Sequence, residues 1–324
     1  MKRIDALGYE VLIGEGLIGQ ADLPEGRLFL VTDANVAQAG WPDRLGAQWA
    51  GRFVLPPGES SKSLAEAERL LVAMVDAGIG RADHVVAVGG GVVGDVAGFA
   101  ASILKRGCGW IAVPTSLLAQ ADSAVGGKTG VNAPQGKNLI GAFHQPALVL
   151  IDPDALGTLP ERELRAGYAE VVKYGLIGDP VFFAWCEANC AALLAGDKAA
   201  RLHAIETCVA AKVEAVASDE MDTKGRRALL NFGHSFGHAI EAETGLRHGE
   251  AVAIGMAMAF RLSVERGLCP PEDADRAIAH LESAGLPTAT DVDPARLAAR
   301  MVHDKKGAAR ILTRGIGKAF LAPA

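Results

Sequence analysis

Three histidines crowd one short stretch of the chain. The run "LLNFGHSFGHAIEAETGLRHGEAV" carries His234, His238 and His248 within fifteen residues, in a sequence of 324 residues with eight histidines in all. Imidazoles so close can hold a metal, work as an acid/base pair, or do neither. On a helix His234 and His238 share one face, which suits two ligands or one ligand beside a proton-handling group, and Asn231 is expected on that face one turn earlier. His248 opens the next apolar helix after the "ETGLR" turn, and an antiparallel pair would bring its ring back toward His234. Zinc takes nitrogen, sulfur and carboxylate ligands; with no cysteine near, a carboxylate is the natural third. "LRAGYAEVVKYG" offers Glu170 in an apolar helical context with Lys173 one turn on. A charged pair there is costly unless used or compensated, although the same spacing also fits a half-exposed surface ion pair.

A second set of residues points to phosphate. "HVVAVGGGVVGDVAGFAASI" reads as strand, glycine turn and helix start, with Gly89, Gly91 and Gly94 at the spacing of a dinucleotide fingerprint. The acidic residue that usually follows about twenty positions later is missing, and a plain tight turn fits the same glycines. Asp33 and Asn35, closing the strand "RLFLVTDAN", are placed to hold a ribose instead. The strand "WIAVP" also ends in polar residues, a long loop presenting Thr115, Ser116, Asp122, Lys128, Lys137 and Asn138 among glycines. A loop of that length in a folded domain is usually functional. Basic residues recur near these clusters: Arg106, Lys128, Lys173, Lys212, Arg227 and the "HDKK" of residues 303–306. Gathered guanidinium and ammonium groups suit phosphate and carboxylate, hence a polyanionic substrate.

The elements that must position these groups change character along the chain. "YEVLI", "RLFLVT", "RFVL", "HVVAV", "WIAVP" and "ALVLI" are continuous apolar strands of a sheet covered on both faces, and residues 63–78 have helical periodicity. After about Thr158 come Ala-, Leu- and Glu-rich helical segments, with the near-terminal "ARILTRGIGKAFLA" as a strand or hairpin. The length predicts two domains, an α/β domain over 1–157 and a mainly α-helical one over 158–324. A net charge of −6 weighs against nucleic acid and anionic membranes as partners. Five cysteines without framework spacing, no signal-peptide pattern and no span-length apolar run predict a cytoplasmic protein.

Four blocks carry a resemblance. "GGGVVGDVAGFAASILKRG", "VPTSLLAQADSAVGGKTGVNAPQGKNLIGAFHQP", "LPERELRAGYAEVVKYGLI" and "RALLNFGHSFGHAIEAE...HGEAVAIGM" resemble, in order, the signature blocks of the 3-dehydroquinate synthase family of sugar phosphate cyclases. The resemblance implies a Rossmann-like NAD-binding domain, a helical metal- and substrate-binding domain and an active site in the cleft between them. It makes Glu170, His234 and His248 the zinc ligands, with Co2+ as an alternative ion, and His238 a proton-handling residue. NAD contacts are implied at Asp33, Asn35, Glu59, Lys62, Gly91, Asp95, Thr115, Ser116, Lys128, Lys137 and Thr158. Lys128, Lys173, Lys212, Arg227, Asn231 and His238 are implied as catalytic. Asp122 and Asn138 would bind the substrate, with Arg106 and Lys305 or Lys306 on its phosphate. The implied reaction converts the anionic sugar phosphate 3-deoxy-D-arabino-heptulosonate 7-phosphate to 3-dehydroquinate and phosphate. It proceeds by transient NAD oxidation, elimination, re-reduction and aldol closure, in a homodimer. Compared with the family pattern, the turn between His238 and His248 is about two residues short, "DEMDTKGRR" is one residue long, and Thr313 stands where a proline is common. Another seven-carbon sugar phosphate cyclase, a metal-dependent alcohol dehydrogenase and a catalytically silent nucleotide-binding protein are the rival readings.

Overall fold

The apolar runs of the first half fold as strands that alternate with helices. In chain order these are β1 (Lys2–Ala6), β2 (Tyr9–Ile13), β3 (Leu28–Asp33), α1 (Ala34–Gln38), β4 (Trp49–Leu55), α2 (Leu64–Asp76), β5 (His84–Gly89), α3 (Gly91–Ile103), β6 (Gly109–Pro114), β7 (Lys128–Ala133), β8 (Gly136–Phe143) and β9 (Leu148–Ile151). The computed structural model describes residues 1–221, 227–301 and 310–322, so Lys305 and Lys306 lie outside the described residues. Seven strands form one sheet in the order β1-β2-β9-β6-β5-β3-β4, parallel except for the β1–β2 hairpin. Val86, Val88, Ile111, Val113 and Leu150 pack into a buried cluster on it with Trp41, Leu17 and Ile18. Strands this uniformly apolar need cover on both faces, the reason their sequences do not alternate.

From β3 the chain steps to β4 on one side, while from β5 it steps to β6 on the other. The reversal falls between β3 and β5, and ligands of such sheets sit outside the carboxyl ends of the strands at that point. Gln120 braces this edge from within. Its buried Nε2 donates to the carbonyls of Pro114, 3.0 Å away at the end of β6, and of Asp152, 2.8 Å away just past β9.

The long polar segment after β6 is not a loop. It contains a helical turn at Ala119–Ser123 and the antiparallel hairpin β7–β8. Gly130 stands opposite Gly141, and a Cβ at Gly130 would come within 2.6 Å of the Ile140 carbonyl oxygen. Glycine permits that close pairing and removes the β-branched signal by which strands are read.

The second half is helical: α4 (Glu161–Gly178), α5 (Pro180–Ala195), α6 (Lys198–Ser218), α7 (His234–Thr244), α8 (His248–Glu265), α9 (Pro271–Ser283) and α10 (Pro294–Met301), then the hairpin β10 (Arg310–Thr313) and β11 (Ala319–Ala322). By contacts the chain divides into Met1–Leu159 with Ile205–Val213, and Pro160–Ala204 with Glu214–Ala324, so Lys212 on α6 groups with the sheet unit. In the helical unit α8 packs against α4, α7 and α9 and is buried over most of its circumference. Thr313 has a local compensation for the proline it replaces: its backbone N–H donates to Ser263 Oγ at 3.1 Å, a bond proline cannot make. Among the described residues no helix is long and apolar enough to cross a membrane.

Replacing Gln120 by Leu leaves the Pro114 and Asp152 carbonyls without the amide. It should lower stability by about 1–3 kcal/mol, read as a shift in the urea midpoint of the sheet unit's fluorescence.

Candidate active site

In the sheet unit the residues singled out from the sequence converge on one edge. Asp33 ends β3 and caps α1, accepting from the backbone of Asn35 at 2.8 Å and Val36 at 3.0 Å. Glu59 and Lys62 follow β4, Gly91 and Asp95 follow β5, Thr115 and Ser116 follow β6, and Thr158 closes the short helix after β9. These are the carboxyl ends of five strands. Helix α3 begins at Gly91 with no side-chain cap, whereas Ser63 caps α2, so no side chain takes up the first-turn amides of α3. The cleft beside the glycine turn is lined by Gly90, Gly91, Gly94, Asp95, Ser123 and Lys128. A Cβ at Gly94 would meet nothing within 4 Å, so the turn is open where a phosphate would pass.

Charge at this edge is compensated locally. Lys62, 6 % exposed, forms an ion pair with Asp95; burial holds the Asp95 carboxyl above its usual range against the pull of that ammonium. Glu59 accepts from the Asn132 side-chain amide at 2.8 Å and pairs with Lys137 at 3.2 Å, while Asn132 Oδ1 accepts the Asn138 backbone N–H at 3.0 Å. Lys212 forms an ion pair with Asp122 on the Ala119–Ser123 turn. Thr158 accepts from Trp41 Nε1 at 2.8 Å. Arg106 is exposed and, like Lys105 before it, has a positive φ, 71°.

The helical unit brings together the second set. Glu170 and Lys173 sit on α4 with side chains 1 % exposed, forming a fully buried ion pair rather than a surface one. The histidines converge on the same carboxylate: His234 Nε2 lies 3.6 Å and His248 Nε2 3.4 Å from Glu170 Oε1. Neither contact is a hydrogen bond, and Oε1 is a buried carboxylate oxygen without a hydrogen-bond partner among the described residues. One donor atom from each of Glu170, His234 and His248 lies within 4.8 Å of the others. His238 stays outside that set, its ring centroid 5.4 Å from that of His234 and 5.9 Å from that of His248. Asn231 is not on the histidine helix: Gly233, at φ 80°, interrupts the backbone before α7, and Asn231 belongs to the preceding turn, donating to the Ala228 carbonyl at 3.0 Å. Arg227, buried in that turn, donates to the Glu220 carbonyl at 2.8 Å.

The outer nitrogens fix how the rings face. His234 Nδ1 donates to the Phe232 carbonyl at 3.2 Å, and His248 Nδ1 to Glu241 Oε2 at 3.2 Å, since each acceptor can only accept. Nδ1 of each ring is therefore engaged away from Glu170, and Nε2 is the nitrogen that faces Oε1. Glu241 was not singled out from the sequence; its signal is the i, i+4, i+7 line His234, His238, Glu241 on one face of α7. Burial acts first on every group here. It drives His234 down to about 3; for His248, Glu170 and Glu241 overcome burial and lift it to about 9. Burial opposes the ionised form of Glu170, yet Lys173 and the two imidazoles hold its carboxyl well below the usual range. A buried carboxylate oxygen with two imidazole Nε2 atoms around it matches the nitrogen and carboxylate donor set of a divalent metal.

The helix crossings that allow this geometry are very close. A Cβ at Gly249 would run into the Ala166 carbonyl oxygen of α4, and one at Gly255 into that of Gly233. Arg162 binds Glu250 at 2.6 and 2.8 Å and Arg247 binds Glu163 at 2.7 Å, two ion pairs joining the first turns of α4 and α8 around His248.

Fold and site define a class: an α/β unit of nucleotide-binding topology in one chain with a helical unit holding a carboxylate and two imidazoles as a metal-type donor set. Family models described as 3-dehydroquinate synthase N-terminal and C-terminal match residues 52–166 and 167–307. The 3-dehydroquinate synthase of Zymomonas mobilis subsp. mobilis is 51% identical over 337 residues, 97% of this chain and 89% of its own. Among solved structures, 2-epi-5-epi-valiolone synthase from Streptomyces hygroscopicus subsp. jinggangensis, with NAD+ and Zn2+ bound, aligns with a TM-score of 0.91 and 31% identity over 100% of this chain and 95% of its own. A 2-deoxy-scyllo-inosose synthase complexed with carbaglucose-6-phosphate, NAD+ and Co2+ aligns with a TM-score of 0.89 and 27% identity, over 100% and 96%. The chain belongs to the 3-dehydroquinate synthase family.

Gly249→Ala should push α8 off α4. A loss of roughly 2 kcal/mol or more in stability is expected, with weaker Zn2+ binding by chelator competition; unchanged values in both would rule out close packing as the positioning device.

Proposed function

We propose that this protein is a 3-dehydroquinate synthase, a lyase that converts 3-deoxy-D-arabino-heptulosonate 7-phosphate to 3-dehydroquinate and phosphate in the cytoplasm. The observation that carries the reading is the Glu170, His234 and His248 donor set, in a chain 51% identical to a 3-dehydroquinate synthase. NAD and a divalent metal, zinc or cobalt, would supply a reversible hydride acceptor and polarisation of the hydroxyl being oxidised. Glu170, His234 and His248 would hold the metal. Asp33, Asn35, Glu59, Lys62, Gly91, Asp95, Thr115, Ser116, Lys128 and Lys137, on the 1–157 side, would hold NAD together with Thr158 just beyond it.

The chain's own cations do the remaining work. Lys128, Lys173, Lys212 and Arg227 set fixed positive charge against the substrate's carboxylate, phosphate and developing enolate; such preorganised charge stabilises a transition state without reorganising. Lys173 and Arg227 are buried, so little water screens them. His238, beside the donor set but outside it, holds or passes a proton to the substrate, and Asn231, Asp122 and Asn138 orient its hydroxyls. Arg106 reaches the phosphate from a second copy in a homodimer, joined there by Lys305 or Lys306. Residues 158–324 carry the metal and most substrate contacts. The partner is thus a small anion; with a net charge of −6 neither nucleic acid nor membrane is expected.

The test is phosphate release from 3-deoxy-D-arabino-heptulosonate 7-phosphate with Zn2+ and catalytic NAD, coupled to 3-dehydroquinate dehydratase. Phosphate and dehydroquinate should appear in equal amounts with no net NADH, and Glu170→Ala and His248→Ala should each lower the rate by roughly 100-fold or more. Net NADH would indicate an alcohol dehydrogenase, and turnover only of other seven-carbon sugar phosphates a different cyclase. Sedimentation of the purified protein as a monomer would remove Arg106 from the proposed phosphate site.

A further inference from the structure

We infer that Glu241 is a positioning residue of the metal site: its carboxylate orients His248 so that Nε2, and not Nδ1, faces the metal. The inference rests on the reading of Glu170, His234 and His248 as ligands.

The two imidazoles are held by unlike means. His234 is buried and tethered by the Phe232 carbonyl in the turn before α7, so the backbone fixes its ring. His248 is the first residue of α8 and its side chain is 30 % exposed. His234 also opens its helix, so the difference between the two rings is that a side chain, not a backbone carbonyl, holds His248 Nδ1 and that the His248 side chain is partly exposed. Its fixed contact away from Glu170 is Glu241 Oε2, 3.2 Å from Nδ1, on a side chain 9 % exposed. A carboxylate only accepts, so Nδ1 carries a proton and Nε2 is the nitrogen left to face a metal. A ligating histidine held in this way has its orientation and tautomer set before the metal arrives and its basicity raised. Glu241 does this from the helix that supplies His234, seven residues on, so one face of α7 provides a ligand and the support of another.

The test measures metal binding, not turnover. Metal-free full-length wild type, Glu241→Gln, Glu241→Leu and Glu170→Ala are titrated with Zn2+ against a chromophoric chelator, and with Co2+ by its visible d–d absorption. Glu241→Leu should bind Zn2+ about 10–100-fold more weakly and shift the Co2+ spectrum. Glu241→Gln, whose amide oxygen can still accept from Nδ1, should recover most of that loss. NAD affinity should be unchanged in both. Equal Zn2+ affinity and an unshifted Co2+ spectrum in Glu241→Leu, with Glu170→Ala defective, would overturn the positioning role alone. Should Glu241→Leu not fold, a Glu241→Gln variant bound as weakly as Glu170→Ala would overturn it as well, since the amide preserves the contact. Wild type without a Zn2+ site, or with one unaffected by Glu170→Ala, would instead overturn the ligand assignment and the inference with it.

Discussion

Glu170 is the group on which the helical unit turns. A carboxylate 1 % exposed is stable only if its charge is met on the spot. Lys173 meets one oxygen from one turn along α4, while the histidines of α7 and α8 approach the other, which has no hydrogen-bond partner among the described residues. Removing that carboxylate would take from the buried Lys173 its ion-pair partner on α4, so binding chemistry and folding are coupled at this residue. Burial here serves the function, because a dry carboxylate attracts a cation more strongly than a hydrated one.

The sheet unit solves a different problem, gathering polar groups from distant parts of the chain without burying them in its core. Parallel strands do so by geometry, since each delivers its next residue to the same edge. That edge is then stiffened by buried hydrogen bonds, from Gln120 across β6 and β9 and to Asp152, which takes the backbone amides of Gly16 at 3.2 Å and Ile18 at 3.1 Å.

The apolar strands, the glycine turn and the three histidines were legible in the sequence because each depends on local pattern. The hairpin β7–β8 was not, since its pairing relies on Gly130 and Gly141, which carry no strand preference. Asn231 was assigned to the histidine helix because period alone cannot register a left-handed glycine at 233. Glu170 was found by the cost of burying a charge. Glu241 was missed because a second carboxylate on a mostly polar helix looks like solvent-facing surface until the helix it faces is known. Residues 222–226 and 302–309 lie outside the description, and with them the one-residue excess of "DEMDTKGRR" and the lysines at 305 and 306.

Gly249 and Gly255 have a consequence for how kinship among such chains should be read. At both positions a single methyl group would strike a backbone carbonyl of a neighbouring element. Drift at these sites is therefore blocked by steric exclusion, with no contact to substrate or cofactor required. In an alignment they would be as invariant as the proposed ligands beside them, and invariance next to His248 would not by itself separate a residue that performs chemistry from one that merely makes room for it.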